Sequence, residues 1–180
     1  EEHQSLSSLH SIHGDLTIFQ TSALQTLNLP NLESIGDDLH IISSNIESLS
    51  APLLTEIKGE LYIEQNPLLR LLFLPELHSI GSALSFIQNP SLENTSIFLT
   101  SIGGDVNILD NSSLQEFPSN NLVSLNGALQ LHNNPSITEL DFPLLQDLTE
   151  GIIIKSMPTL QRISLPKINN LQEGVSIQEN

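Results

Sequence analysis

The chain contains no cysteine and no tryptophan, and basic residues are scarce. Without cysteine, neither a disulfide nor a cysteine-based zinc site can form. Five lysines and arginines against 21 acidic residues give a formal net charge of −16 at pH 7. This balance argues against nucleic acid and anionic lipid as partners and suits a basic ligand. No apolar run is long enough to span a membrane, so direct membrane insertion is not expected.

Signatures of catalysis are missing as well. The sequence has no nucleophile elbow, no phosphate-binding loop and no H-E-x-x-H motif. We therefore expect a protein that is not an enzyme, and we predict neither a cofactor nor a metal site.

What the chain does contain is an apolar residue that returns every 22 or 23 residues. The residues at this position are Leu16, Leu39, Leu61, Leu84, Val106, Leu129, Ile152 and Val175. A second apolar residue follows two positions later in every unit. Such a period is typical of a solenoid, in which each unit buries its apolar residues only against its neighbours. One deep catalytic pocket is not expected in such a stack.

Within each unit the apolar residues alternate as they do in strands. The unit from Gly59 to Ile80 shows this most clearly, with the pairs Leu61/Ile63 and Leu72/Leu74. Prolines recur at one corner of the unit, where they exclude a helix. They are Pro30, Pro52, Pro75, Pro143 and Pro166. The sequence therefore predicts an all-β, leucine-rich-repeat-like solenoid of about seven coils of 22–23 residues, stacked into parallel sheets.

One polar column keeps the same phase as the apolar residues. It holds Asn66, Asn89, Asn111 and Asn134, with Asn180 in phase at the end of the chain. We interpret this column as an inward asparagine ladder. Each amide would bond backbone groups that the turn leaves unpaired, and also its copy in the next coil. A polar row that binds a ligand is the alternative.

Both ends of the chain fall inside a repeat. Leu6, Leu9 and Ile12 match the second half of a unit, and residues 174–180 match the first strand of another. We therefore expect one domain over residues 1–180, cut within a repeat at both ends. Because an uncovered solenoid end leaves strand edges and core open, we expect either continuation of the chain or a covering partner. End-to-end association of two copies would also cover it.

The unit resembles the receptor L-domain family. The resemblance rests on G-D-L-T-I at 14–18, L-P-N-L-E-S-I-G at 29–36, L-P-E-L-H-S-I-G at 74–81 and I-G-G-D-V-N-I at 102–108. This family forms the ligand-binding lobes of insulin- and EGF-type receptors, and related repeats occur in fungal GPI-anchored cell-wall proteins. The resemblance implies a right-handed, β-helix-like solenoid that is extracellular or at the cell surface or cell wall. The chain departs from the receptors in lacking cysteine, and its regular repeats resemble the fungal wall proteins, or a prokaryotic or protist relative, more closely.

The resemblance also implies that the sheet carrying the first strand of each unit is the binding face. Its predicted outward residues are Phe19, His40, Ile42, Tyr62, Glu64, Ile87, Leu109 and His132. An apolar stripe with polar neighbours is typical of an interaction surface. Alternatively, another segment covers the stripe, or strand propensity alone selected these residues. A second, smaller candidate patch consists of Arg70, Leu71 and Phe73 on the next strand.

Two groups of polar residues have an alternative reading as metal sites. Carboxylates stand at the same position in several units, just before the first strand. They could hold Ca²⁺ as in β-helical polysaccharide lyases, with Lys58 as the basic partner. A solvated acidic edge is the favoured interpretation. The column holds Asp15, Asp38, Glu60 and Asp105, interrupted by Ala83. Similarly, His3, His10 and His13 could bind a metal, but a polar terminal segment is favoured.

Two functions from different classes follow from the sequence. One is a non-enzymatic extracellular or cell-surface module that binds a protein or a glycan through its first sheet. The other is a structural wall or matrix spacer without a specific ligand. Sequons stand at Asn94 and Asn111. Asn111 belongs to the predicted ladder, so Asn94 is the glycosylation candidate.

Overall fold

The computed structural model describes residues 6–169, 171 and 173–180. His3 therefore lies outside the described residues. In this part of the chain the regular structure is entirely β, and all strands pair in parallel. The strands are β1 Ser11–Ile12, β2 Leu16–Phe19, β3 Thr26–Asn28, β4 Ser34–Ile35, β5 Leu39–Ile42, β6 Ser48–Ser50, β7 Glu56–Ile57, β8 Leu61–Glu64, β9 Leu71–Leu74, β10 Ser79–Ile80, β11 Leu84–Ile87, β12 Asn94–Ile97, β13 Ser101–Ile102, β14 Val106–Leu109, β15 Ser124–Leu125, β16 Leu129–His132, β17 Glu139–Asp141, β18 Asp147–Leu148, β19 Ile152–Lys155, β20 Arg162–Ser164 and β21 Val175–Gln178. The predicted all-β solenoid is confirmed.

The strands form three faces of a stack of coils. The broad sheet has eight strands in the order β2-β5-β8-β11-β14-β16-β19-β21. The narrow sheet has seven two-residue strands in the order β1-β4-β7-β10-β13-β15-β18. On the remaining face, the side sheet consists of a four-stranded part, β12-β9-β6-β3, and a separate pair, β17-β20.

Pairing along the stack follows the sequence period directly. In the broad sheet Leu84 pairs with Val106 and Phe86 pairs with Ile108, each one period away. Because successive side chains of a strand point to opposite faces, the positions equivalent to these point toward the interior of the stack. Phe86 and Ile108 are fully buried there. Val175 and Ile177 on the last strand are each 53% exposed, whereas the inner coils bury their residues. The apolar residues of the repeat thus build one continuous core.

The asparagine column lies inside this stack, with Asn66, Asn89, Asn111 and Asn134 all fully buried. The Nδ2 of Asn89 donates to the carbonyl oxygens of Ile63 at 2.9 Å and Ile87 at 3.1 Å. Its Oδ1 accepts from the backbone N–H of Asn66 at 3.1 Å. The amides thereby satisfy backbone groups at the corner that follows each broad-sheet strand.

The residue just before each ladder position has a left-handed backbone, with φ between 51° and 59°. These residues are Gln20, Ser43, Gln65, Gln88, Asp110, Asn133, Ser156 and Glu179. A left-handed residue turns the chain sharply at the end of a strand. That turn directs the following side chain, the ladder amide, into the core.

The side sheet is interrupted at Pro118, which lies one period after Ser96 on β12. Proline has no N–H to donate to the ladder of a sheet, so pairing stops at this coil. Ser119 next to it is buried, and its hydroxyl donates to the carbonyl oxygens of Phe117 and Asp141. A depression of about 280 Å³ opens beside the break, between residues 93–98 and 115–121.

Candidate functional site

The outer face of the broad sheet carries two parallel columns of side chains. One column runs Thr17, His40, Tyr62, Ser85, Asn107, Gln130 and Ile153. The other runs Phe19, Ile42, Glu64, Ile87, Leu109, His132 and Lys155. The in-register pairing therefore places the residues of the predicted binding face in two adjacent rows.

Exposure varies strongly along these rows. Phe19 is 55% exposed, whereas Ile42, Ile87 and Leu109 are less exposed and partly buried. In register, Glu64 lies between Ile42 and Ile87 and divides the apolar stripe. Ser85 is buried although its position is outward, and its Oγ accepts a hydrogen bond from Asn107 Nδ2 at 3.3 Å. The face is therefore mixed in polarity, and its apolar stripe is interrupted at Glu64.

The narrow sheet provides a contrast on the same molecule. Its outward column consists of Ser11, Ser34, Glu56, Ser79, Ser101, Ser124 and Asp147. Every one of these residues is polar, as expected for a strand position that faces only water. The large apolar and aromatic side chains on the outside of the broad sheet are therefore not a general property of this solenoid.

A cluster of ionisable side chains lies at the start of β5 and β8. His40 Nε2 lies 2.8 Å from Glu60 Oε1 and 3.8 Å from Asp38 Oδ2. The Tyr62 and His40 rings pack in a T-shaped arrangement, with centroids 5.8 Å apart and planes at 74°. The Tyr62 hydroxyl donates to Glu64 Oε2 at 2.9 Å. The cluster thus links both outward columns across two coils.

The surroundings of Tyr62 raise its pKa above the ordinary value for a phenol. Burial is the main cause, followed by the hydrogen bond to Glu64 and the negative charges of Glu64 and Glu60. Each of these disfavours the tyrosinate anion. The carboxylates of Glu64 and Glu60 beside Tyr62 make this part of the face suited to a cationic group.

The acidic column before the broad-sheet strands has a structural role beyond the solvated edge that the sequence favours. Asp15 Oδ1 accepts the Asp38 N–H at 3.0 Å, and Asp38 Oδ1 accepts the Glu60 N–H at 2.7 Å. Asp105 Oδ1 accepts the Ala128 N–H at 2.9 Å in the same way. Lys58 does not join the column, and its Nζ lies 4.0 Å from Glu56 Oε1. The column therefore bonds backbone donors of the next coil and is more than a solvated edge.

The second candidate patch lies on the side sheet. Arg70, Leu71 and Phe73 are all exposed, the last two by 38% each. Phe98, which is 51% exposed and lines the depression beside Pro118, was not among the sequence-predicted residues. The sequence does offer a sign that Phe98 is exposed, because it stands at the corner position that Pro52 and Pro75 occupy in earlier coils.

Among the described residues, one group of three donor side chains has ligand atoms that all lie within 4.8 Å of one another. It consists of Asp38, His40 and Glu60. His10 and His13 belong to no such group in the ranges that the structure covers. From the sequence, Asp38 and Glu60 are expected in an acidic edge and His40 on a binding face. The sequence signal for this group is Asp-x-His at positions 38–40 with a carboxylate, Glu60, one period after the aspartate.

Comparison with known protein families identifies a match. The family model described as Receptor L domain matches residues 1–100 of the 180-residue chain. No curated protein and no solved structure matches the chain. Within the described residues, no helix has the length and apolar character needed to cross a membrane.

Proposed function

Because the chain belongs to the receptor L-domain family, a family of ligand-binding solenoids, we propose that it is a recognition module that binds a protein through the outer face of its broad sheet. Receptor L domains are typically extracellular, and we place this module outside the cell, at the surface or wall. Its task is binding, and no step of chemistry is assigned to it.

The observation that carries this proposal is the contrast between two faces of one stack. The broad sheet presents Phe19, Ile42 and Leu109 outward, while the narrow sheet presents only polar side chains. Apolar and aromatic side chains next to ionisable ones are the usual composition of a protein interface. A solenoid without a partner has no need of such a face for its own core.

The charge of the chain indicates the kind of partner. With a formal net charge of −16 and the cluster of Asp38, Glu60 and Glu64 on the face, a basic protein surface is complementary. Complementary charge speeds association and selects among partners. We therefore favour a protein with a basic patch over a glycan.

The face can be tested with the double substitution Phe19→Ser and Ile42→Ser. We expect the loss of this apolar area to weaken binding by about tenfold or more, because truncating a hot-spot side chain costs about 2 kcal/mol or more. The measurement is surface plasmon resonance of the immobilised chain against a panel of purified extracellular proteins with basic surfaces. The matched control is Phe98→Ser, which removes an equally exposed phenylalanine from the side sheet.

The outcomes of this experiment separate the alternatives. A partner that binds the wild-type chain and the Phe98→Ser variant, but not the double variant, supports the broad-sheet face. A partner lost only with Phe98→Ser moves recognition to the side sheet. Equal binding by all three proteins contradicts the proposal, and a panel without any binder supports the spacer function.

Glycosylation provides a separate prediction for an extracellular protein. Asn94 is exposed at the start of β12, whereas the Asn111 amide is buried and donates to Phe86 O at 2.8 Å and Leu109 O at 3.0 Å. In a eukaryotic secretory host we expect a glycan on Asn94 and little or none on Asn111. Peptide mapping by mass spectrometry measures both occupancies. Full occupancy of Asn111 in folded protein would contradict the inward position of its amide.

A further inference from the structure

We propose that Asp38, His40 and Glu60 form a binding site for a divalent transition-metal ion with zinc-like preferences. The site goes beyond the proposed recognition function, because it binds an ion without any partner protein. It lies where β5 and β8 begin, and its three side chains come from two successive coils.

The distances between the donor atoms suit such an ion. Zinc bonds nitrogen and oxygen at about 2.0–2.2 Å, so a tetrahedral ion separates its ligand atoms by about 3.3–3.6 Å. His40 Nε2 lies 2.8 Å from Glu60 Oε1 and 3.8 Å from Asp38 Oδ2, which brackets that range. If the ion replaces the His40–Glu60 hydrogen bond, small side-chain rotations would bring all three donor atoms to ligand positions.

Neighbouring groups hold two of the three ligands in place. Asp38 uses Oδ1 to accept the Glu60 N–H at 2.7 Å, which leaves Oδ2 on the side of His40. The Tyr62 ring packs against the imidazole and restricts its orientation. A Cβ at Gly59 would collide with Asp38 Oδ1, so the glycine makes room for this carboxylate. Such outer contacts orient ligands in established metal sites.

The same positions in adjacent coils do not offer this donor set. One coil earlier, Thr17 occupies the position of His40. One coil later, Ala83 occupies the position of the second carboxylate and Tyr62 that of the imidazole. Among these adjacent coils, the combination of an imidazole and two carboxylates therefore occurs at one pair only. Acidic side chains that accept a backbone N–H of the next coil occur at several pairs of coils.

Charge and access also favour a divalent transition metal. Two carboxylates and a neutral imidazole carry a charge of −2, which a dication balances. The side chains of His40, Asp38 and Glu60 are 24%, 35% and 33% exposed, so an ion can enter and retain an open coordination position. Ca²⁺ takes 6–8 oxygen ligands, which this donor set with one nitrogen does not supply. Zn²⁺ readily accepts a mixed set of nitrogen and oxygen ligands.

The test is isothermal titration of the untagged chain with Zn²⁺, with Co²⁺ as a spectroscopic probe. We expect one site that His40→Gln and Glu60→Gln each weaken at least tenfold. His132→Gln is the matched control, because this histidine lies on the same face without a carboxylate pair. Circular dichroism confirms that each variant retains its fold.

Tyr62 provides a second readout, because it is the sole tyrosine and the chain lacks tryptophan. Bound Co²⁺ should quench its emission in the wild-type chain and in His132→Gln, but not in His40→Gln. Equal Zn²⁺ affinity in wild type and both ligand variants overturns the proposal, as does Co²⁺ binding without quenching. These titrations contain no partner protein. A negative result would therefore overturn the metal site without affecting the proposed recognition function, which has its own test.

Discussion

Phe86→Ala should lower the free energy of unfolding by about 3–5 kcal/mol, the usual cost of truncating a buried phenylalanine. Phe86 is fully buried in β11, between Ile63 and Ile108 of the adjacent coils. Its removal leaves a cavity that the flanking strands cannot close, because their pairing fixes their separation at about 4.8 Å. Urea unfolding followed by far-ultraviolet circular dichroism measures the change.

Phe98→Ala is the matched control in the same coil. Because this ring is 51% exposed, its loss should change stability by no more than about 0.5 kcal/mol, as is usual for surface substitutions. If both variants unfold at the same urea concentration, Phe86 does not lie in the core and the inward columns are assigned to the wrong face.

Asn89→Ala should lower the free energy of unfolding by about 2–4 kcal/mol, since each buried polar group left unpaired costs about 1–3 kcal/mol. The amide is fully buried and donates to Ile63 O and Ile87 O. It also accepts the Asn66 N–H at 3.1 Å. Asn66 Nδ2 also donates to Asn89 Oδ1 at 3.1 Å, and Asn89 Nδ2 donates to Asn111 Oδ1 at 3.3 Å. Alanine removes all of these interactions at once, while water has no access to replace them.

Two further variants sharpen this result. Asn107→Ala removes a half-buried asparagine with one side-chain bond, to Ser85 Oγ, and should cost much less. Asn89→Ser should fall between wild type and alanine, because the ladder already contains a serine. There Ser44 Oγ donates to Ile42 O and accepts the Thr21 N–H. Thermal melts with no difference between Asn89→Ala and Asn107→Ala would show that the ladder does not stabilise the stack.

The ladder also bears on recognition. It follows the broad-sheet strands directly and extends from Ser44, whose N–H donates to Asn66 Oδ1, to Met157, whose N–H donates to Asn180 Oδ1. A face held in register by such bonds loses little conformational freedom on binding, and less ordering favours affinity. Ladder variants that remain folded are therefore expected to weaken partner binding without any change in the face itself.

The sequence alone determined the architecture and the contents of the core. In a solenoid each strand pairs with the residues one period away, so counting 22 or 23 positions already predicts pairs such as Leu61 with Leu84. Alternation within a strand then assigns Ile63 and Phe86 to the inside. The resemblance to the receptor L-domain family, confirmed by the match over residues 1–100, rests on the same repeated positions.

Only the tertiary structure decided what the surface looks like. The period places His40, Asp38 and Glu60 near one another, but the approach of His40 Nε2 to both carboxylates depends on side-chain rotamers. The outward Ser85 is buried because of its neighbours, and Phe98 is exposed beside a break that Pro118 causes in the adjacent coil. The exposure of a side chain and the distances between metal-binding atoms depend on side chains in the adjacent coil, about 22 residues away. The repeat specifies only where each backbone position lies.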